Sequence, residues 1–418
     1  MIREFRVNNF RSFGSEQVIS FEATKDTLGE GYQVITMKDG TRLLRFAIVY
    51  GANASGKSNL LTALEFVLSF VRCSENEEML KDEELNVDPF RFSNDSNDSS
   101  FQLLFYVNDK KFRYSLSVNE KCVTFEKLEV YNTQKPTMVF ERTLTEGIDT
   151  ISFNASLKVS TGIKNDFKRY TLPNTSIFNT LRHISSSGIN DLDSVFVYFN
   201  KKFNKSITSL QGNDKKKEFV INLVKNADIN IDDVIVEKKE IPSTVVKHII
   251  EDDDVPQSVK KRLKDDPFQT KVLFEHSVHD LNGNVIHASF EDSYESKGTL
   301  NTVGFGLALY DILNNNIFLT DDEFECSFHP EVMKKLIFTF LNSDETTSQL
   351  LITSHYDPLM DEIDKGNLRP DSFWFTEKNV MGSTELYSLV EFNGINSLKS
   401  IREAYRAGQL GALPHIEY

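Results

Sequence analysis

The stretch Leu43–Val71, LLRFAIVYGANASGKSNLLTALEFVLSFV, decides the fold of this chain. It opens with the short apolar run Phe46–Tyr50, which predicts a buried strand. Residues Gly51–Ser58 follow and match G-x-x-x-x-G-K-[ST] in full, the spacing of a phosphate-binding loop. Apolar residues then recur at helical spacing as far as Val71, so the loop is expected to open a buried helix. Strand, loop and helix in this order predict a nucleoside triphosphate site.

The residue types of this loop suit phosphate binding. Small residues allow backbone N–H groups to close around phosphate oxygens, and the N-terminus of a helix adds positive potential. Lys57 is expected to reach the β- and γ-phosphates, and Ser58 is expected to hold Mg²⁺. We therefore predict ATP and Mg²⁺ as ligands, with these candidate nucleotide-binding residues in the stretch: Gly51, Asn53, Ser55, Gly56, Lys57, Ser58 and Asn59.

Composition and charge narrow the class of protein. The 418 residues suggest two or three domains, and a hydrophobic content of 39% can fill a substantial core. A formal net charge of −15 argues against broad wrapping of nucleic acid, although a local basic groove remains possible. Three widely separated cysteines indicate a reducing compartment. With neither a signal peptide nor a long apolar run, we expect a soluble, cytoplasmic chain that spans no membrane.

Alternating apolar and polar residues predict strands on both sides of the phosphate loop. Two half-buried strands are expected at Ile2–Asn8 and Val18–Phe21. An antiparallel meander is expected over Phe101–Val107, Lys111–Val118 and Val123–Tyr131, with polar turn residues between the strands. Such a meander can flank a nucleotide-binding core.

The middle of the chain has a different character. From about residue 143 to residue 286, charged segments of helical character alternate with prolines and aspartates that are typical of turns. No internal repeat or heptad stretch is visible there. We interpret this segment as a mostly helical insertion. The predicted domains are residues 1–142 (first part of an ATPase head), 143–285 (insertion or lid) and 286–418 (second part of the head).

Further motifs follow the insertion. A small Ser-x-Gly turn, Glu295–Thr299, precedes an apolar helix and offers groups that can contact an anion. The apolar run Ile317–Glu323 predicts a strand that ends in carboxylates, which can bind Mg²⁺ and orient an attacking water. A turn at Ser327–Pro330 leads into another helix. The run Gln349–His355 predicts a strand that ends in a histidine, at the edge where open α/β sheets place ligands.

The chain resembles the RecF/ABC-type ATPases in four motifs: GANASGKSNLL, ESKGT, DDEFECSFHP and LLITSHYD. Within these ATPases it is similar to the bacterial AAA-15/AAA-21 proteins of the RloA and AbiL type, encoded in phage-defence loci. The opening IREFRVNNFRSF and the ending Tyr405–Pro414 fit that group too. The resemblance covers about residues 1–130 and 285–418. It implies an α/β, ABC/RecF-type phosphate-loop head, with a mixed sheet, an antiparallel β meander and a mostly helical insertion.

The resemblance also implies roles for individual residues. Ser296 and Gly298 match the signature motif, which contacts nucleotide held by a second protomer. Asp322 matches the Mg²⁺-side aspartate, Glu323 the general base and His355 the γ-phosphate-sensing histidine. Because the position before the acidic pair is Asp321 rather than an apolar residue, a slipped register would make Asp321 the metal-side group and Asp322 the base. The distance to His329-Pro330 favours Asp322 and Glu323.

Three functions fit these features. The first is an ATPase that dimerises around ATP and regulates a separately encoded effector, a toxin or nuclease, in abortive-infection defence. The second is a RecF/SMC-like DNA-repair ATPase, disfavoured by the acidic charge and the absence of coiled-coil heptads. The third is a transporter subunit, disfavoured by the long insertion and the Ser-x-Gly-Thr signature. We expect no fused metal-dependent nuclease domain, since the roughly 60 residues that follow His355 are too few for a domain of typical size.

Overall fold

The computed structural model describes residues 1–72, 83–92, 97–184, 187–201, 207–227, 231–252, 255, 260, 264, 267–343, 346–395 and 398–413. It divides into two compact units. The first comprises Met1–Lys202, Asn315–Cys326 and Ile337–Tyr418, and the second comprises Phe203–Asn314 and Ser327–Leu336. Within the described residues, no helix is both long and apolar enough to cross a membrane.

The strands are β1 (Ile2–Asn8), β2 (Gln17–Ser20), β3 (Val34–Thr36), β4 (Arg42–Leu44), β5 (Phe46–Gly51), β6 (Ser99–Val107), β7 (Lys110–Val118), β8 (Val123–Tyr131), β9 (Thr137–Thr145), β10 (Ile148–Phe153), β11 (Asp233–Glu240), β12 (Phe268–His279), β13 (Val285–Glu291), β14 (Phe318–Asp321), β15 (Gln349–Thr353), β16 (Phe373–Lys378) and β17 (Thr384–Ser388). The helices are α1 (Lys57–Arg72), α2 (Thr161–Tyr170), α3 (Asn190–Phe199), α4 (Asp214–Asn226), α5 (Ser243–Glu251), α6 (Lys297–Asn315), α7 (Pro330–Leu341), α8 (Asp361–Asp364) and α9 (Ile401–Arg406).

A five-stranded sheet in the first unit carries the phosphate loop. Its order is β14-β15-β5-β16-β17, and the first four strands are parallel while β17 runs antiparallel to β16. Strand β5 is central and all six of its residues are buried, as expected for a parallel strand covered on both faces. The carboxyl ends of β14, β15 and β5 therefore meet at one edge, where ligands bind in open α/β sheets.

A seven-stranded antiparallel sheet forms the other layer of the first unit, in the order β10-β9-β8-β7-β6-β1-β2. Apolar side chains of this sheet and of β5 share one core with helix α1, whose buried face includes Leu60, Leu64 and Val67. The predicted strand, loop and helix are confirmed, and so are the predicted strands and the meander. The meander is longer than expected, because β9 and β10 extend it.

The second unit contains helices α4, α5 and α6 and the three-stranded antiparallel sheet β11-β12-β13. A small core joins α4, β11, β12 and α6 through Val220 of α4, Val234 of β11, Phe274 of β12 and Leu307 of α6. Strand β13 is mostly exposed along its length. The longest described helix is α6, with 19 residues.

The two compact units differ from the domains expected from the sequence. Residues 143–201 belong to the first unit, where β9, β10, α2 and α3 continue the antiparallel layer. The segment expected to be mostly helical also contains β11 and β12 and the start of β13. The reason is that Val234 and Phe274 are buried in the small core while charged residues cover the outside, a mixture that resembles a solvated helix when only the sequence is considered.

Arg45, between β4 and β5, is fully buried and holds the C-terminal end of α7. Its guanidinium donates to the main-chain oxygens of Phe340, Leu341 and Ser343, each at 3.0 Å. The last carbonyls of a helix have no partner within the helix, so a buried cation is a favourable cap for them. This contact fixes the end of α7 beside the start of β5.

Candidate active site

The phosphate loop, residues 51–56, connects β5 to α1. Within the loop, Ala54 has a left-handed backbone conformation with φ +62°, and Gly56 also has a positive φ, +119°. Lys57 is only 5% exposed, and its Nζ donates to the main-chain oxygens of Gly51 at 2.9 Å and Ala52 at 3.1 Å. Burial lowers the pKa of Lys57, and the negative charge of nearby carboxylates opposes this shift. The ammonium group is therefore held inside the loop.

Two threonines of β16 and β17 support the loop. The hydroxyls of Thr376 and Ser55 lie 2.6 Å apart, and Thr384 Oγ1 lies 2.7 Å from the main-chain oxygen of Ser55. A Cβ added at Gly51 would lie against the Thr376 and Ser55 hydroxyls, and one added at Gly56 would lie against the Thr384 side chain, both closer than real Cβ contacts. The glycines of the motif are needed because these threonines approach so closely.

Ser12, in the segment after β1, supports the loop from the N-terminal part of the chain. Asn59 Nδ2 donates to Ser12 Oγ at 2.8 Å, and Thr384 N donates to Ser12 O at 2.7 Å. The Thr384 hydroxyl also lies 2.9 Å from Ser12 Oγ. The first turn of α1 is thus connected through Ser12 to the segment after β1 and to β17.

An acidic turn follows β14, which ends at Asp321. The Thr353 hydroxyl, at the end of β15, donates to Asp322 Oδ1 at 2.5 Å and accepts from the Glu323 main-chain N–H at 2.8 Å. Glu323 has φ +48°, a left-handed conformation that is uncommon for a residue other than glycine. Such strained residues cluster at functional sites, where surrounding contacts hold them.

His355 lies two residues beyond β15. Its main-chain N–H donates to Glu325 Oε1 at 2.5 Å. Partial burial and the positive charge of Lys57 lower the pKa of the His355 imidazole below its ordinary value of 6.5, while the charges of Glu325, Glu323 and Asp322 act in the opposite direction. The same three carboxylates act on Lys57. Lys57, the acidic turn and His355 therefore lie close enough together for their charges to act on one another.

The residues expected to hold Mg²⁺ are a hydroxyl and a carboxylate, Ser58 and Asp322, and both are exposed. No group of three or more histidine, cysteine, aspartate or glutamate side chains suited to a metal occurs in the described parts of the chain. Mg²⁺ prefers hard oxygen donors and is usually held by one or two carboxylates together with phosphate oxygens. The donor set therefore fits Mg²⁺ that arrives with a nucleotide, rather than a metal caged by the protein.

A cleft of about 520 Å³ adjoins the first half of the loop. One side is formed by the loop and His355, and the other includes residues from the end of the chain. Tyr405 of α9 packs against Tyr50, at the end of β5, with 6.1 Å between ring centroids. Arg406 and Arg402 of the same helix form ion pairs with Asp357, two residues after His355. The C-terminal helix is therefore part of the wall of this site.

Ser296 and Gly298 belong to the second unit, at the start of α6. Ser296 Oγ accepts from the main-chain N–H of Thr299 at 3.0 Å, which caps the helix. Both residues line a cleft of about 610 Å³, which also includes His329 and Lys335. The predicted apolar helix after the Ser-x-Gly turn is confirmed as α6.

Residues 46–361 match the model of the AAA_21 family, described as "AAA domain, putative AbiEii toxin, Type IV TA system". The chain belongs to the AAA_21 family. The matched range contains the phosphate loop, the acidic turn, His355 and the Ser-x-Gly turn, so the family inferred from these motifs is confirmed. The predicted α/β fold class is confirmed as well: the AAA_21 chain has a mixed sheet that carries the phosphate loop and an antiparallel meander.

Solved structures with a likeness to this AAA_21 chain include three SMC heads. The "SMC head domain from Thermotoga maritima" has a TM-score of 0.39 and 11% identity, over 93% of this chain and 98% of that one. The "SmcHead bound to the C-winged helix domain of ScpA" has a TM-score of 0.41 and 13% identity, over 97% and 99%. The head with an extended coiled coil, bound to a ScpA domain derived from Pyrococcus furiosus, has a TM-score of 0.41 and 10% identity, over 98% of each chain. None of the curated proteins matches the AAA_21 chain in sequence.

Several residues of the AAA_21 site were not expected from the sequence. Thr353, Glu325, Thr376, Thr384 and Ser12 each make a contact that positions a predicted site residue. Glu325 could have been noticed in the sequence, because it is the fourth carboxylate in the run DDEFE. The threonines and Ser12 could not have been recognised from the sequence, since a single hydroxyl residue in another segment shows no pattern that links it to the loop.

Proposed function

We propose that this AAA_21 chain binds ATP and hydrolyses it to ADP and phosphate. The observation that carries the proposal is the convergence of three groups in the first unit: hydrogen bonds join the acidic turn to the end of β15 and to His355, and His355 lines one cleft with the loop that holds Lys57. A phosphate-binding cation beside a carboxylate base and a histidine is the combination that phosphoryl transfer to water requires. No other described cluster in the chain combines these groups with a phosphate loop.

Nucleotide binding is assigned to the loop and its helix. Backbone N–H groups of residues 51–58 face the phosphates, and the N-terminus of α1 supplies positive potential to them. Lys57 moves from the carbonyls of Gly51 and Ala52 to the β- and γ-phosphate oxygens, which are stronger acceptors because they are charged. Asn53, Ser55 and Asn59 keep the loop in shape around the ligand.

Mg²⁺ would be held by Ser58 and Asp322 together with phosphate oxygens. When bound, it neutralises charge that develops on the phosphates. The hydrogen bond from Thr353 fixes the Asp322 carboxylate, which would supply an oxygen ligand to Mg²⁺.

Glu323 is assigned as the general base. The water oxygen forms a bond to the γ-phosphorus, the bond from that phosphorus to the bridging oxygen of ADP breaks, and the water proton passes to the Glu323 carboxylate. The electron pair of the broken bond stays on ADP. His355 contacts the γ-phosphate and distinguishes ATP from ADP. Asp322 and Glu323 are both hydrogen-bonded to Thr353. These bonds support the register with Asp322 on the metal side and Glu323 as the base over the register with Asp321 and Asp322 in these roles.

The ATP site is proposed to be shared between two copies of the chain. In ABC-type geometry, a phosphate loop and a signature motif of one chain do not complete the same site, so Ser296 and Gly298 of a second copy would close over the γ-phosphate. Ser296 supports this role because it caps α6 and borders an open cleft. Binding and hydrolysis would then close and open the dimer.

The biological role that we propose is regulation of a separately encoded effector, a toxin or nuclease, in anti-phage defence in the cytoplasm. The support is the family description, which names a toxin and a type IV toxin–antitoxin system, together with the resemblance to phage-defence ATPases. The net charge of −15 gives no support for DNA as the partner. Co-purification of the neighbouring gene product with the tagged chain tests this role.

The enzymatic proposal is tested by phosphate release from ATP in the presence of Mg²⁺. Wild-type protein is expected to turn over, and Lys57→Ala is expected to lose both nucleotide binding and hydrolysis. Lys38→Ala is the matched control, because this lysine is exposed and pairs with Asp109 on the surface. Equal activity of wild type and Lys57→Ala would refute the proposal.

A further inference from the structure

Glu325 lies two residues beyond the proposed base and has no role in the steps above. Its Oε1 accepts the main-chain N–H of His355 at 2.5 Å. Thr353, which ends β15 two residues before His355, is hydrogen-bonded to the Asp322 side chain and to the main chain of Glu323. The end of β15 is therefore attached to the acidic turn at two points, and the second point carries the histidine.

The other oxygen of Glu325 is unusual. Among the described residues, Oε2 is buried without a hydrogen-bond partner. A main-chain N–H needs only a neutral acceptor, and a carboxylate oxygen buried without donors is unfavourable. This cost indicates that the position of Glu325 serves the site rather than the stability of the fold, and its charge also acts on both Lys57 and His355.

We propose that Glu325 is a positioning residue for ATP hydrolysis, which fixes the main chain of His355 relative to the acidic turn. This inference rests on the proposed function. Through its hydrogen bond, Glu325 keeps the imidazole at the γ-phosphate and keeps the distance between His355 and Glu323 constant. An arrangement of this kind matters because displacement of a catalytic group by about 1 Å can reduce a rate about 100-fold.

The proposed role predicts a particular defect when Glu325 is lost. The hydrogen bond of Glu325 is made to the main chain of His355 and not to the phosphate loop, so affinity for ADP should change little. The contact with the γ-phosphate depends on His355, so the preference for ATP over ADP should fall. A residue that merely stabilises the fold would change the affinities for both nucleotides together.

The test compares Glu325→Ala and Glu325→Gln with wild type and with Glu385→Ala, a control glutamate on the exposed face of β17. Binding of a fluorescent ADP and of a non-hydrolysable ATP analogue, single-turnover hydrolysis and melting temperature are measured for each. We expect Glu325→Ala to lose about 100-fold in rate and to lose its preference for the ATP analogue, with ADP affinity within about twofold of wild type. Glu325→Gln keeps an acceptor for the His355 N–H, so it should keep the ATP preference.

Each outcome decides the inference. A normal rate and a normal ATP preference in Glu325→Ala would overturn it. If Glu325→Ala does not fold, Glu325→Gln decides: a loss of ATP preference as complete as that of His355→Ala would overturn the acceptor role. Failure of wild type to bind or hydrolyse ATP would instead refute the proposed function itself, so the two failures are distinguishable.

Discussion

Thr353 organises the acidic turn through a single hydroxyl. That group donates to Asp322 and accepts from the main chain of Glu323, so it orients the proposed metal-side carboxylate and stabilises the left-handed backbone of the proposed base. A left-handed conformation costs roughly 1–3 kcal/mol for a residue other than glycine. The hydrogen bond from Glu323 to Thr353 offsets part of that cost, which explains why a threonine ends β15.

The register of the acidic turn gives the first prediction. If Glu323 is the base, Glu323→Gln should bind ATP normally and hydrolyse it at least about 100-fold more slowly, as expected when a general base is lost. Asp322→Asn should instead weaken the dependence of binding on Mg²⁺. Single-turnover hydrolysis and nucleotide binding with and without Mg²⁺ measure both effects.

A different result would support the slipped register. Normal hydrolysis by Glu323→Gln, combined with loss of hydrolysis in Asp322→Asn, would make Asp322 the base and Asp321 the metal-side group. Asp371→Asn is not a suitable control, because the Asp371 carboxylate forms an ion pair with buried Arg369 and its loss would affect stability. Glu385→Gln, on an exposed part of β17, is the suitable one.

The second prediction concerns the protonation of His355. Because burial and the charge of Lys57 lower its pKa below 6.5, more than half of the imidazole should be neutral at pH 6.5, and the midpoint of its protonation should lie at lower pH. Lys57→Met removes the like charge, so the pKa of His355 should rise. An NMR pH titration of the imidazole resonances, assigned with His355→Gln, measures the shift. A midpoint above 6.5 in wild type would contradict the prediction.

At the scale of elements, the loop depends on a strand that comes more than 300 residues later in the chain. Gly56 has φ +119°, and an added Cβ would lie against Thr384 of β17. Gly147, in the turn between β9 and β10, has φ +78° with nothing near an added Cβ. Gly147 therefore reports the cost of a positive φ alone, whereas Gly56 combines a positive φ with close packing.

The third prediction uses this pair. Gly147→Ala should cost about 1–2 kcal/mol in the free energy of unfolding, the price of a left-handed alanine. Gly56→Ala should cost about 1–3 kcal/mol more, because the new methyl group also displaces Thr384, and it should weaken ATP binding. Urea unfolding and nucleotide titration of the two variants test this. Equal destabilisation would show that Thr384 moves away freely.

The strand and helix next to the loop were predictable because the sequence features that specify them are adjacent in the chain. An apolar run, a glycine-rich turn and helical periodicity are adjacent in the sequence, so β5, the loop and α1 follow from one stretch. The supports of the loop were not predictable in this way. Thr376, Thr384 and Ser12 reach it through tertiary contacts, and single hydroxyls in unrelated segments produce no periodic pattern.

The sheet of the second unit was missed for a related reason. Strand β11 reads DVIVEKKE, so charged residues outnumber apolar ones, and its core contact depends on pairing with β12. The tendency of a segment to form a strand depends on such neighbours more than on its own composition. The carboxylates and histidine of the site, in contrast, were predictable because they follow short apolar strands.

At the scale of the molecule, the proposed shared site gives the fourth prediction. Ser296→Arg should leave ATP affinity nearly unchanged, because residues 51–58 supply most contacts, and should abolish hydrolysis. When it is mixed with Lys57→Ala, one composite site of the mixed dimer carries both changes and the other carries neither. Partial activity should therefore return. ATPase rates of each variant and of the mixture measure it.

The controls for this mixture are the two variants alone at the same total concentration, with formation of the mixed dimer verified by two different tags. Normal turnover by Ser296→Arg alone would exclude a shared site. An inactive mixture with verified mixed dimers would contradict independent composite sites.

The order of the five-stranded sheet has a consequence for synthesis of the protein on the ribosome. Strand β5 is complete at residue 51, but both of its neighbours, β15 and β16, lie near residues 349–378. At about 5–20 residues per second, a gap of about 300 residues takes roughly 15–60 seconds to translate. During that time the apolar run FAIVYG has neither partner strand, so the nascent chain presents an unpaired strand to chaperones and to other nascent chains. The phosphate loop can take its final shape only when the last quarter of the chain has emerged.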